Sequence, residues 1–157
     1  IWTRAACRRW CLLAMSQTNV DIGAVVGKGY GAFWRFQGRY RVCKGSRASK
    51  KSKTTALNII YRMMQPRYSL ANTLVVRKTA RTLRDSCFSD LKWGTLRLGV
   101  GHLWTFTTSP LAAVYKPTGQ QIFFRGLDDP LKLASISCPV GGICWAWIEE
   151  RWWLVMI

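Results

Sequence analysis

Hydrophobic and polar positions along this chain fall into short runs whose period switches between that of a strand and that of a helix. Residues 40–45, "YRVCKG", read as a short strand closing on glycine. Residues 53–65, "KTTALNIIYRMMQ", set Leu57, Ile60, Tyr61 and Met64 at helical spacing, and Pro66 ends that helix. A second strand is predicted at 72–79, "NTLVVRKT", followed by a long helix at 80–99 with Leu83, Cys87, Leu91 and Leu98 along one side. The segments "LWTFTTS" (103–109) and "QQIFFRG" (120–126) read as antiparallel strands joined through "KPTG". Residues 141–150, "GGICWAWIEE", form an apolar run that stops abruptly on two acids, as a buried parallel strand does. Strand, helix, strand, helix and then further strands predict an α/β sheet with right-handed crossovers.

The 157 residues have room for about one domain, and 49% apolar content with a mean hydropathy near zero makes that domain globular rather than disordered. Charge changes the picture more. Lys and Arg number 24 against 7 Asp and Glu, a net charge of +17, so the surface is suited to polyanions: nucleic acid, nucleotide or anionic lipid. No run of about 18 apolar residues is present to cross a membrane as a helix. The opening "IWTRAACRRWCLLAM" has too short an apolar core and no cleavage site for a secretory leader, so the chain is expected to be intracellular. Tryptophans crowd both ends, at Trp2, Trp10, Trp152 and Trp153, and Met15 has the look of an initiator. The expected organisation is an extension over 1–14 from upstream read-through, a central domain over 15–150, and a divergent tail over 151–157 from a frame change. Cys7, Cys11, Cys43, Cys87, Cys138 and Cys144 form no CxxC pair, and His102 is the only histidine, which argues for reduced, buried thiols rather than zinc.

Between the first strand and the first long helix lies "GSRASKKS", Gly45, Ser46, Arg47, Ala48, Ser49, Lys50, Lys51 and Ser52. It fits the phosphate-loop pattern GxxxxGK[ST] at every slot but one, in the strand-to-helix position that aims backbone N–H groups and a helix N-terminus at phosphate. Lysine at position 50 is the misfit. Glycine normally sits there because the backbone approaches phosphate closely and takes positive φ, so Lys50 must point outward and accept strain. On this assignment Lys51 reaches the β and γ phosphates and the Ser52 hydroxyl ligates Mg²⁺. By itself the same run is equally readable as a solvated basic loop. A second element bears on the choice: Glu149 and Glu150, the only two glutamates, stand adjacent at the tip of an apolar strand. Carboxylates there bind Mg²⁺ and orient the attacking water in nucleotide hydrolases; the alternative is a strand simply leaving for solvent.

Four segments in this order, "YRVCKGSRASKKSKTTALNIIYRMM", "NTLVVRKTARTLRDSCFSDLKW", "QQIFFRGLDDPLKLASIS" and "CWAWIEE", resemble the ATPase domain of the large terminase subunit of tailed bacteriophages and prophages. The resemblance runs from about Met15 to Glu150. It implies a P-loop NTPase fold of the RecA-like, three-layer α/β kind, with a mostly parallel sheet incomplete at the C-terminus. It also implies a motor that hydrolyses ATP with Mg²⁺ to drive double-stranded DNA into a procapsid, in the cytoplasm of an infected or lysogenic bacterial host. Portal protein, small terminase subunit and further copies in a ring are the implied partners, with no membrane. The implied nucleotide-binding residues are Gly45 to Ser52 and Lys53. Arg47 corresponds to an arginine that senses or stabilises the γ-phosphate. Glu149 takes the metal-side acid, usually aspartate, and Glu150 the catalytic glutamate that polarises water. The aromatic stretch at 30–36 is where the family holds adenine, which singles out Phe33 and Trp34 for stacking, beside the plainer reading of both as packed residues.

The family's nuclease domain is not expected in this chain. In the wider class of such ATPases a later strand lies between the phosphate-loop strand and the acid-tipped strand; without it the sheet is expected to carry a gap, with weak nucleotide binding, poor turnover and aggregation. Asp128 and Asp129 before Pro130 read as a structural turn. Arg77, Lys78, Arg81 and Arg84 are candidates for a DNA or subunit face. Two other readings stand beside the motor: a non-enzymatic basic module that binds nucleic acid, and a helicase-type nucleic-acid-stimulated ATPase.

Overall fold

The computed structural model describes residues 20–46, 48–128, 136, 138, 141–149 and 153–156. Two short helices, α1 (Ile22–Val26) and α2 (Gly31–Arg35), precede strand β1 (Arg41–Lys44). Helix α3 (Lys51–Met63) follows the basic loop, and β2 (Ala71–Arg77) follows a single turn at Pro66–Tyr68. Helix α4 (Ser89–Arg97) leads to β3 (Trp104–Thr108), β4 (Leu111–Tyr115), β5 (Gln120–Gly126), β6 (Gly142–Glu149) and β7 (Trp153–Met156). Among the described residues no helix is long and apolar enough to cross a membrane.

Helix α3 is the centre of the core. Ala56, Leu57, Ile59, Ile60 and Met63 are all at most 2% exposed, each large side chain contributing about 1.5–3 kcal/mol by leaving water. They share one cluster with Val75 of β2, Leu91 of α4, Ile122 of β5 and Trp147 of β6. Gly94 lets α4 cross α3 closely, since a Cβ there would lie 2.7 Å from the Cδ1 of Ile60.

The helix expected at 80–99 is interrupted. Ala80–Thr82 is a 3₁₀ turn, Arg84–Phe88 a π-helical turn in which the Phe88 amide donates to the Leu83 carbonyl at 3.0 Å, and only then does α4 begin. One extra residue in the turn rotates the chain after it by about 100°. Leu83, Cys87, Phe88 and Leu91 are all buried across this break.

The seven strands of the described residues form one sheet in the order β1-β7-β6-β2-β5-β4-β3. The architecture is α/β as expected, but the sheet is mixed rather than mostly parallel. Among the described residues only β2 with β5 and β2 with β6 pair in parallel; β1 with β7, β6 with β7, β3 with β4, and β4 with β5 are antiparallel. Two strands account for the difference. Leu111–Tyr115 forms β4 between the two strands expected to pair directly, so β5 pairs with β4 and not with β3. The other is β7, which occupies the place where a gap was expected. Its backbone pairs Lys44 with Trp153 on one side and Glu149 with Leu154 on the other. Since β7 is antiparallel to both neighbours, β1 and β6 run in the same direction, about 10 Å apart across it.

Candidate functional site

Strands β1, β2, β5 and β6 share one direction, so their carboxyl ends, Lys44, Arg77, Gly126 and Glu149, lie along one edge of the sheet. Crevices at such an edge are where α/β sheets bind ligands. The basic loop leaves β1 at that edge and enters α3 with Lys50 at its N-cap. Lys50 has φ 63° and ψ 12°, and Ala48 has φ 62°, both left-handed conformations that favour glycine. As expected from the sequence, Lys50 bears strain and remains exposed. The Tyr30 hydroxyl ties the loop to the segment before α2 by donating to the Ser49 carbonyl.

Lys51 turns its ammonium back onto the loop, donating to the carbonyls of Gly45 at 2.7 Å and Ser46 at 2.9 Å and to the Ser49 hydroxyl at 3.0 Å. The Lys51 ammonium is thus held by three acceptors of the loop itself. Across from it, the Ser52 hydroxyl donates to Oε1 of Glu149 at 3.0 Å. Strand alternation places Glu149 there: Trp145, Trp147 and Glu149 point to one face, and the two tryptophans are 8% and 0% exposed. The second oxygen, Oε2, lies 3.7 Å from the Cys87 sulphur at the end of the π turn.

Burial raises the pKa of Glu149 above its ordinary value, while the Ser52 hydrogen bond and the Arg77 guanidinium pull against that rise. Cys87 is pushed up as well, by burial first and the Glu149 charge second, so its thiol stays protonated. Arg77, the strand neighbour of Glu149, donates from Nη1 to the Ser86 hydroxyl at 2.7 Å and to the Thr82 carbonyl at 3.3 Å. Instead of joining a basic outer face it braces the π turn; Lys78, Arg81 and Arg84 are exposed.

Gly45, Ser46, Ala48, Ser49 and Lys50 lie in the loop and Lys51 and Ser52 in the first turn of α3, and of these Ser52 meets Glu149, while Arg47 and Glu150 lie outside the described residues, as do the 1–14 extension and Asp129. The Lys53 ammonium is engaged elsewhere, 2.9 Å from the Asp90 carboxylate and 4.3 Å from the centre of the Trp93 ring. Phe33 and Trp34 are packed: Trp34 lies 5.4 Å from Tyr61, and the Arg41 guanidinium 5.6 Å from the Phe33 ring. Asp128 accepts from the Ala80 amide at 3.4 Å, the structural use expected of it.

Among the described residues no group of three or more His, Cys, Asp and Glu side chains is arranged around a metal position. The Ser52 and Glu149 oxygens suit Mg²⁺ nonetheless, because that ion takes one or two protein oxygens and completes its shell with phosphate and water. The sequence reading placed Cys87 on a buried face, but its contact with Glu149, like the inward turn of Arg77, has no signature in one dimension.

Strand β1, the lysine-bearing loop and α3, with an acid from β6 across the intervening β7, make up the candidate site. Similarity identifies the family. Residues 37–152 match the family model of the phage terminase large subunit, and the chain belongs to that family. It is 41% identical over 109 residues to "Terminase, large subunit" of Bacillus phage SPP1, covering 69% of this chain and 25% of that protein. It is 32% identical over 111 residues to "PBSX phage terminase large subunit" of Bacillus subtilis (strain 168), covering 71% of this chain and 24% of that protein. The chain thus spans about a quarter of the length of these curated relatives.

Proposed function

We propose that this chain binds Mg²⁺–ATP between the Gly45–Ser52 loop and the tip of β6, as ATPase machinery of a motor that packages phage DNA. In this reading β1, the loop and α3 are the phosphate-binding unit of a P-loop, RecA-like domain, with β7 reversed in the slot between the loop strand and the acid strand. Backbone amides of residues 45–50 cradle phosphate, and Lys51 leaves the Gly45 and Ser46 carbonyls to meet the β and γ phosphates. Ser52 and Glu149 hold Mg²⁺, which supplies charge neutralisation at the phosphoryl oxygens when bound. Arg47 steadies the γ-phosphate and Glu150 polarises the attacking water. Double-stranded DNA, portal protein, small terminase subunit and a ring of like subunits are the partners, in the cytoplasm of the bacterial host. Family membership disfavours the helicase-type alternative.

The observation that carries this reading is the Ser52 to Glu149 hydrogen bond, which joins the loop to the acid strand across 97 positions of sequence. Turnover is expected to be slow, because the Lys51 bonds to the loop must be broken and Lys50 occupies a glycine position. The test is titration with a fluorescent ATP analogue in Mg²⁺, with DNA affinity measured in parallel. Saturable binding lost in Lys51→Ala supports the reading. Equal binding by Lys51→Ala, with salt-dependent DNA affinity indifferent to ATP, would leave a basic nucleic-acid module instead.

A further inference from the structure

We propose that Cys87 is a positioning residue for the Glu149 carboxylate, holding its Oε2 while Ser52 holds its Oε1. The inference rests on the reading of Glu149 as the metal-side acid and adds the device that aims it. A glutamate has one more rotatable bond than the aspartate usual at this place, so its carboxylate needs more restraint to keep one position. Both oxygens are restrained here: Oε1 by the Ser52 hydroxyl at 3.0 Å and Oε2 by the Cys87 thiol at 3.7 Å. A neutral thiol is a weak donor and so orients the carboxylate without competing strongly with a cation.

The chain is shaped locally to bring that sulphur in. Cys87 is fully buried and lies in the π-helical turn Arg84–Phe88, where the inserted residue re-aims the side chains that follow. That turn is pinned from the strand side. Arg77 donates to the Ser86 hydroxyl at 2.7 Å, and Ser86 donates in turn to the Thr82 carbonyl at 2.7 Å. Arg77 is also paired in register with Glu149, so the strand that positions the acid and the turn that positions the thiol are braced by one residue.

The experiment compares ADP affinity in excess Mg²⁺ with ADP affinity in EDTA for the wild-type chain, Cys87→Ser and Cys87→Val. Serine keeps a donor at the position, whereas valine keeps apolar volume without one. Loss of a group that orients a metal ligand lowers metal affinity by about tenfold or more. We expect Cys87→Val to lose about tenfold of the Mg²⁺-dependent gain in affinity while its affinity in EDTA is unchanged, and Cys87→Ser to keep most of the gain. Full retention by Cys87→Val, or a greater loss in serine than in valine, assigns Cys87 to packing and overturns the proposal. Should one variant not fold, the other decides: serine losing the gain, or valine keeping it, overturns the proposal; the opposite result supports it. A wild-type chain that binds ADP equally with and without Mg²⁺ removes the metal reading of Glu149 itself, and this inference with it.

Discussion

Ser52 and Glu149, 97 positions apart in the chain, meet in a 3.0 Å hydrogen bond across the carboxyl edge of the sheet. Neither residue is brought there by its own segment alone. Ser52 opens α3 after the strained loop, and Glu149 ends a strand whose preceding tryptophans are locked in the core.

If these two oxygens share one cation, their removal is not additive. Ser52→Ala and Glu149→Gln are each expected to weaken Mg²⁺-dependent ADP binding by about tenfold or more, and the double variant by clearly less than the product. Calorimetric titration of the four proteins checks this. Fully multiplicative losses would show that the two residues act on separate events.

Lys50 holds φ 63°, at a cost of about 1–2 kcal/mol for a residue with a Cβ. Lys50→Gly is expected to stabilise the fold by about 1 kcal/mol, part of the relief being offset by the greater freedom of glycine in the unfolded chain. It should also tighten nucleotide binding. Urea denaturation and ADP titration measure both, and a variant less stable than wild type would contradict the strain.

The raised pKa of Glu149 has a definite consequence for stability. Its ordinary value is 4.5, and burial lifts the folded value above that, so between the two the folded state binds more protons. Stability from this group is therefore fully present below about 4.5 and is lost as pH rises through the folded value. In EDTA, thermal midpoints followed from about pH 4 to about pH 8 should fall more steeply for wild type than for Glu149→Gln. Parallel profiles would show that the carboxylate is not desolvated.

β1 has β7 as its only sheet partner among the described residues, which makes β7 the link in the sheet between the strand before the basic loop and the strand that carries Glu149. Leu154 pairs with Cys43 on one side and Glu149 on the other. Leu154→Pro removes a ladder donor in mid-sheet and is expected to cost about 3 kcal/mol, comparable to proline in a helix interior. Hydrogen exchange should then accelerate at residues 41–44 while β2 and β5 stay protected. Unchanged protection of β1 would show that β7 does not hold it.

Much of this architecture is legible in one dimension where a local pattern is also the tertiary cause. The helical spacing of Leu57, Ile60 and Met64 predicts α3 because the face it defines is the face that packs. Lysine in a glycine slot predicts strain at Lys50 because backbone sterics are local. The expected helix over 80–99 is interrupted at the π turn, which Arg77 of β2 holds through Ser86 and Thr82, tertiary contacts that the helical spacing of Leu83, Cys87 and Leu91 does not reveal. The antiparallel β4 hides in "LAAVY", a small-residue run with no strict alternation.

By itself the sequence determined the elements around the Gly45–Ser52 loop, the strained position within it and the acid-tipped strand, since each follows from side-chain chemistry over a few neighbouring residues. Only the tertiary structure decided that residues 153–156 enter the sheet between β1 and β6, that Arg77 turns inward and that Cys87 meets Glu149. Those outcomes depend on which backbone edges remain unpaired and which buried groups lack partners once the core has formed, and these conditions exist only in three dimensions.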